Sequence, residues 1–399
     1  MIDTSLYIHT PFCIHRCGYC DFNTYAGLQR LIPAYTQAIC EEIVYLAETT
    51  SKPLPIHTVY FGGGTPSLVP ENDLENIFTV INKNFPIQPS PEITIEANPG
   101  TVSKEYLKNI QYLGINRISL GMQSADQDEL VLLERQHSFD DVIKAVEWSR
   151  TAGINNLNLD LIFGLPDQKV KSWLNSLEAA LTLEPEHLSL YALTLEHGTP
   201  MQHKVDTGVL REPDPDVAAD MYDAASERLA VAGYVQYEIS NWARVNNSGG
   251  LYACQHNLQY WRNLPYLGVG AGAHGFIDHY RTVDVSTPGA YIQSMRKKPE
   301  LVEGRRMFPR TPATIELNPI DTFTEIGETM MMGLRLVMEG VSSLEFLQRF
   351  GTSLLERFGD QITRLISVGL LEWAGEQGER LRLTKKGRLL GNQVFKEFI

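Results

Sequence analysis

A chain of 399 residues, 43% of them hydrophobic, is long enough to bury a large core and leaves room for a second, smaller domain. Its charge sum of 34 − 48 = −14 gives no general attraction for nucleic acid or anionic lipid, and 21% charged residues without low-complexity runs exclude global disorder. Met1-Ile2-Asp3-Thr4 has neither a basic start nor an apolar run, and no stretch of about 18 apolar residues follows. A leader and a spanning helix are therefore not expected, and a cytoplasmic location is.

Through the first half, short β-rich runs alternate with helical periodicity. Strands are predicted at Ser5–His9, Thr58–Phe61, Glu92–Glu96, Arg117–Gly121, Leu157–Phe163 and His187–Leu193, and helices at Pro33–Ala47, Glu71–Asn82, Asp140–Ala152 and Trp173–Leu183. Six βα repeats imply a parallel sheet with helical crossovers, an α/β fold of the partial (β/α)6 barrel kind, with an open doubly wound sheet as the alternative. A helix is predicted at Pro215–Ala232, then a segment to Phe276 rich in Asn, Gly and aromatics. Residues 305–318, with Pro309, Pro312 and Pro319 just after, read as a linker. Helices at Thr322–Met338, Ser343–Phe350 and Ser353–Ser367 precede a hairpin over Leu370–Leu383 and a last helix to Phe398. Helices followed by a hairpin make a winged-helix-like C-terminal domain. The expected domains are 1–235, a barrel; 236–304, its extension; and 305–399, the helical and winged part. Lys385, Lys386 and Arg388 near the end form a solvated basic face rather than a nucleic-acid site.

Chemistry concentrates early. Cys13-Ile-His-Arg-Cys17-Gly-Tyr-Cys20 puts three of the five cysteines in eight positions, which suggests metal binding in a reducing compartment. Iron–sulfur cubes commonly take four thiolates, so three leave one iron open to another ligand. The plainer alternative is a zinc site completed by His9 or His15. Cys40 and Cys254 read as ordinary buried thiols. Phe61-Gly62-Gly63-Gly64-Thr65-Pro66 follows a strand and matches neither a P-loop nor a dinucleotide fingerprint. Its glycines let the backbone approach a ligand, or form a plain tight turn. Glu96, Gln123 and Asp160 sit at or near strand ends, where β/α barrels gather working residues.

The C-x3-C-x2-C spacing, with an aromatic before the last cysteine, resembles the signature of the radical S-adenosylmethionine (SAM) superfamily. That resemblance implies a 4Fe–4S cluster on Cys13, Cys17 and Cys20 whose open iron chelates SAM and whose electron cleaves it to a 5′-deoxyadenosyl radical. Tyr7-Ile-His-Thr-Pro-Phe-Cys, the Gly-rich loop, Ile-Glu-Ala-Asn-Pro, Gly-Met-Gln-Ser and Asp-Leu-Ile-Phe-Gly-Leu-Pro together resemble the oxygen-independent coproporphyrinogen oxidase family. By that likeness Tyr7, Tyr19, Gly63, Gly64, Thr65, Glu96, Gln123, Arg135 and Asp160 line the SAM pocket. Arg135 suits a carboxylate or ribose and Asp160 a ribose hydroxyl.

Two departures matter. Phe22 stands where those oxidases carry a fourth cysteine, and the extension before their motif is absent. Both features, with His256-Asn257-Leu258-Gln259-Tyr260-Trp261, resemble the sister group of heme chaperones, HemW. The resemblance implies heme as cargo with His256 as an iron ligand, a heme-acceptor protein, and an electron donor such as flavodoxin or ferredoxin. The alternative is an enzyme that decarboxylates coproporphyrinogen III in porphyrin biosynthesis. A winged-helix DNA-binding regulator is a third reading, which the acidity of the chain disfavours.

Overall fold

Alternation of apolar and polar residues along the predicted strands builds a sheet with one greasy and one polar face. The computed structural model describes residues 3–297 and 307–399. These form two compact units, one from the start to Ala225 plus Pro265–Asn318, the other Ser226–Leu264 plus Pro319–Ile399.

The first unit opens with β1 (Thr4–Thr10) and a short parallel pair, β2 (Phe12–Cys13) and β3 (Tyr25–Ala26), which brackets the cysteine loop. Then come α1 (Ile32–Thr49), β4 (Ile56–Gly63), α2 (Glu71–Asn84), β5 (Ile87–Ala97), α3 (Lys104–Tyr112), β6 (Arg117–Gln123), α4 (Gln127–Leu132), α5 (Phe139–Ala152), β7 (Asn156–Phe163), α6 (Val170–Thr182) and β8 (His187–Ala192). The order β1-β4-β5-β6-β7-β8 is sequential and every pair is parallel, as expected of six βα units. Leu6, Ile8, Val59, Phe61, Ile118, Leu120, Leu157 and Leu159, at most 2% exposed, form the apolar face. It packs on the helices, for example Phe61 on Phe78 and Phe163 on Trp173, ring centroids 5.4 and 5.3 Å apart. The other face carries Tyr7, His9, Tyr60, Glu96, Arg117, Ser119, Asn158, Asp160, His187 and Ser189, and it holds the site.

After α7 (Pro200–Asp206) and α8 (Pro215–Val231), the hairpin of β9 (Tyr234–Glu238) and β10 (Asn241–Arg244), then α9 (Gln255–Trp261), begin the second unit. The chain then returns to the first. β11 (Tyr266–Val269) pairs parallel to β1, and β12 (His274–Ile277) and β13 (Tyr280–Asp284) add antiparallel. Helix α10 (Pro288–Arg296) precedes β14 (Thr314–Pro319), the outermost strand. The expected extension 236–304 is thus divided between the two units. The linker expected over 305–318 is corrected as well: Arg305 and Arg306 lie outside the described residues, and from Thr314 the chain is strand. Pro309 and Pro312 stand in turns before this strand, and Pro319 ends it at the sheet edge, where a missing N–H interrupts no ladder.

The second unit resumes with α11 (Thr322–Gly333), β15 (Val341–Ser342), α12 (Ser343–Phe350), α13 (Leu354–Ser367), β16 (Leu371–Ala374) and β17 (Arg380–Leu383), a small antiparallel sheet of order β15-β17-β16. Ser353 and Glu356 close a reciprocal capping box on α13. Met330, Leu354, Ile362, Leu381 and Val394 centre its core. The single last helix is instead two short ones, α14 (Lys385–Leu389) and α15 (Gly391–Phe395), broken at Leu390, which is φ −111°. Lys386 and Arg388 donate to Val368 O and Gln236 Oε1, and Lys385 pairs with Glu227. Among the described residues no helix is long and apolar enough to cross a membrane.

Candidate functional site

The cysteine loop leaves β2 and lies over the carboxyl ends of the first strands. Cys13 is buried, and Cys17 and Cys20 are half-buried. Each sulfur has a polar partner. Thr65 Oγ1 donates to Cys13 Sγ at 3.7 Å, Arg135 Nη1 to Cys17 Sγ at 3.6 Å, and Thr24 Oγ1 lies 3.9 Å from Cys20 Sγ. Burial pushes the Cys13 thiol up; the Thr65 bond opposes this, and the charges of Cys20 and Cys17 add to it. Three mutually influencing thiols with hydroxyl and guanidinium groups at their sulfurs fit thiolate ligands of a cluster, whose properties depend on such bonds. They fit single-ion zinc less well. His9, a possible fourth ligand, spends Nδ1 on Tyr7 Oη (2.9 Å) and Nε2 on Asn23 O (3.0 Å), and His15 pairs with Glu134. Among the described residues no three His, Cys, Asp or Glu groups converge on one ion position.

Gly63 N donates to Glu96 Oε2 (3.0 Å), Gly64 N to Thr10 O and Thr65 N to Phe12 O (both 2.8 Å), so these amides serve the protein itself. The glycines are needed for close approach. Gly63 sits at φ +114°, and a Cβ there would stand 2.5 Å from the His9 ring. A Cβ on Gly64 would meet Phe12 O at 2.7 Å.

Register brings the strand-end groups together. Tyr7 faces Tyr60 and Glu96 faces Ser119 across adjacent strands. Glu96 accepts from Tyr60 Oη at 2.8 Å as well as from Gly63 N. Burial raises its carboxyl to about 7; the Tyr60 bond opposes this and the charge of Asp160 adds to it. Asp160 accepts from Ser119 Oγ and Asn158 Nδ2, both at 2.8 Å. Burial raises it too, against its bonds from Ser119, Ser189 and Asn158. Asn158 Oδ1 in turn meets His187 Nδ1 at 2.6 Å and Ser189 Oγ at 3.1 Å.

Arg117, 2% exposed, is the cation of this polar face, and its charge draws both Glu96 and Asp160 down. Sequence reasoning misses it, together with Tyr60, Ser119 and Asn158. The signal is present in Arg117-Ile-Ser119-Leu-Gly121, polar or small at every second position of a predicted strand.

Arg135 links the two halves of the site. Its Nη2 donates to Gly121 O at 3.1 Å while Nη1 reaches Cys17, and its buried Nε has no partner. A Cβ on Gly121 would lie 2.9 Å from Gln123 Nε2 and 3.2 Å from Arg135 Nη2, so that glycine makes room for both side chains. Gln123 holds a left-handed backbone, φ +66°. Tyr19 packs beside Arg135; burial raises its phenol, the Arg135 charge opposes this, and Cys17 and Cys20 add to it.

His256 belongs to the second unit, on α9, and is 1% exposed. Its Nε2 meets Tyr260 Oη at 2.9 Å and the two rings stack edge to face. Tyr260, one turn along the helix, thus contacts this imidazole by both a hydrogen bond and its ring. Phe22, in contrast, is 65% exposed on the cysteine loop.

Residues 7–180 match the Radical SAM superfamily and residues 324–390 the HemN C-terminal domain. The chain is 36% identical to "Heme chaperone HemW" of Bacillus subtilis, over 99% of each chain, and 37% identical to that of Escherichia coli, over 99% and 98%. It is 36% identical to "Radical S-adenosyl methionine domain-containing protein 1, mitochondrial" of Mus musculus, over 92% and 81%. Among solved structures, the coproporphyrinogen III oxidase HemN of Escherichia coli superposes with a TM-score of 0.81 at 21% identity, covering 100% of this chain and 90% of that one. That likeness establishes the fold, a radical SAM barrel with a C-terminal domain.

Proposed function

The chain belongs to the HemW family of radical SAM proteins, and from that premise we propose that it binds a 4Fe–4S cluster, SAM and heme and passes heme to an acceptor protein. Cys13, Cys17 and Cys20 would hold the cluster. Bound together, cluster and SAM supply one-electron chemistry, drawing on a donor such as flavodoxin or ferredoxin. The protein's own part is positioning. Thr65 and Arg135 stabilise negative charge on Cys13 and Cys17. Glu96, with an oxygen on Gly63, suits the ammonium of an amino acid, and Asp160 suits a hydroxyl. Arg135, with an unpartnered Nε, suits a carboxylate or ribose oxygen beside Gln123. Tyr7 and Tyr19 supply flat walls, and Gly63 and Gly64 let the loop pack under them.

Heme ligation is assigned to His256. The ring must first leave Tyr260, which costs about 1 kcal/mol for the hydrogen bond. The observation that carries delivery over catalysis is Phe22. Where the oxidases place another cysteine, this chain presents an exposed apolar ring that neither ligates a metal nor exchanges a proton. The experiment is anaerobic reconstitution followed by heme titration and a coproporphyrinogen III assay on the same sample. Stoichiometric heme uptake without porphyrinogen turnover is expected, and steady formation of protoporphyrinogen IX would overturn the reading.

A further inference from the structure

The second unit contains a cavity of about 610 Å³, within the range of small-molecule and cofactor sites. Its apolar wall includes Trp261, Leu336, Phe346 and Phe350, with Leu336 and Phe346 2% exposed. Trp261, the last residue of the His256–Trp261 motif, is braced by Arg335, whose guanidinium lies 5.3 Å from the ring centroid. Three arginines also line the cavity, although the chain as a whole carries −14.

Two of those arginines are committed. Arg262 forks onto Glu339, Nε–Oε1 at 3.1 Å and Nη2–Oε2 at 2.7 Å. Arg349 holds Glu325, with Nη2–Oε1 at 2.6 Å, and the carbonyls of Arg262 and Asn263. Arg380 is different. It donates Nη1 to Glu339 O at 3.2 Å and makes no ion pair among the described residues, although the neighbouring Glu379 feels its charge. A fork of donors with spare capacity beside an aromatic wall recognises a flat apolar body that carries carboxylates. The lining includes no histidine, cysteine, methionine or tyrosine, so no usual axial ligand of heme iron lies there.

We propose that this cavity is the docking site for the porphyrin of heme, held by ring contact and by a carboxylate on Arg380, without a ligand to its iron. The inference rests on the heme-delivery reading and deepens it. Docking precedes ligation, because His256 is closed on Tyr260 and is not part of the lining.

The test uses the full, reconstituted chain and follows porphyrin fluorescence anisotropy and Soret absorbance. Metal-free protoporphyrin IX reports the cavity alone, since it has no iron to ligate, and its dimethyl ester lacks the anionic arms. Saturable binding of protoporphyrin IX is expected, weakened about tenfold in the ester and in Arg380→Gln, the loss of one charge-assisted bond. Glu345→Lys, on an exposed lining residue, should tighten binding several-fold and guards against an Arg380 variant that merely misfolds. Heme uptake by the wild type with no change in either variant, or with no binding of the metal-free porphyrin, overturns the cavity and leaves heme delivery standing. A wild type that takes up neither porphyrin overturns both.

Discussion

Replacing Glu96 by glutamine should make the protein more stable at pH 8 and weaker for SAM, a trade that follows from its surroundings. Glu96 is half-buried, accepts from Tyr60 Oη and Gly63 N, and titrates at about 7 instead of 4.5 because burial outweighs those bonds. Below pH 4.5 it is protonated in both the folded and unfolded chain and exerts no penalty. Between 4.5 and 7 the unfolded chain has released the proton that the folded one still holds, so stability falls as pH rises and levels off above about 8. A shift of this size corresponds to about 3 kcal/mol, and partial exposure of the carboxyl makes about 2 kcal/mol the working figure. Glutamine keeps both contacts, Oε1 accepting from Gly63 N and Nε2 donating to Tyr60 Oη, but has no charge to desolvate. Urea unfolding at pH 5 and pH 8 measures the difference. The variant should gain about 2 kcal/mol over wild type at pH 8 and much less at pH 5, with an unchanged denaturant slope. Calorimetry at pH 8 should show SAM binding about tenfold weaker, since an ammonium loses its anion. A variant less stable than wild type at pH 8, or an offset that does not change with pH, would refute burial as the cause.

Cys17→Ala should abolish the visible absorption of the anaerobically reconstituted cluster, and retention of a full cluster would count against the triad. Gly63→Ala should cost about 3 kcal/mol in urea unfolding, because φ +114° is strained for alanine and the His9 ring, tied at both nitrogens, has no room to move. Tyr260→Phe should remove the hydrogen bond to His256 Nε2 and raise heme affinity about fivefold in a Soret titration; an unchanged titration would show that this bond is not broken in binding.

The parts of this protein that depend on neighbours along the chain are legible in its sequence. Cys13, Cys17 and Cys20 sit within one loop, so spacing alone assembles them. The strands β1 and β4 to β8 announce themselves by alternation, and their crossover helices by period. Helix α13 carries its own cap. The strand β14 escapes such a reading, because prolines in the turns before it and at its end look like those of a linker until a partner strand is known.

What tertiary structure decides is what depends on register and on distant segments. Only pairing across β5, β6 and β7 reveals that Arg117, Glu96 and Asp160 share one polar face. Gly63 is required because the His9 ring stands against it from another strand, and only the fold shows that the amides of Gly63, Gly64 and Thr65 bond within the protein. Residues 265–318 return to the first unit although 226–264 belong to the second, an arrangement no local composition records. His256 reads as an iron ligand by resemblance, and only the fold shows it buried against Tyr260. Local pattern sets which side chains lie on one face of an element; burial, and with it the charge state of Glu96 or the availability of His256, is set by everything packed around that face.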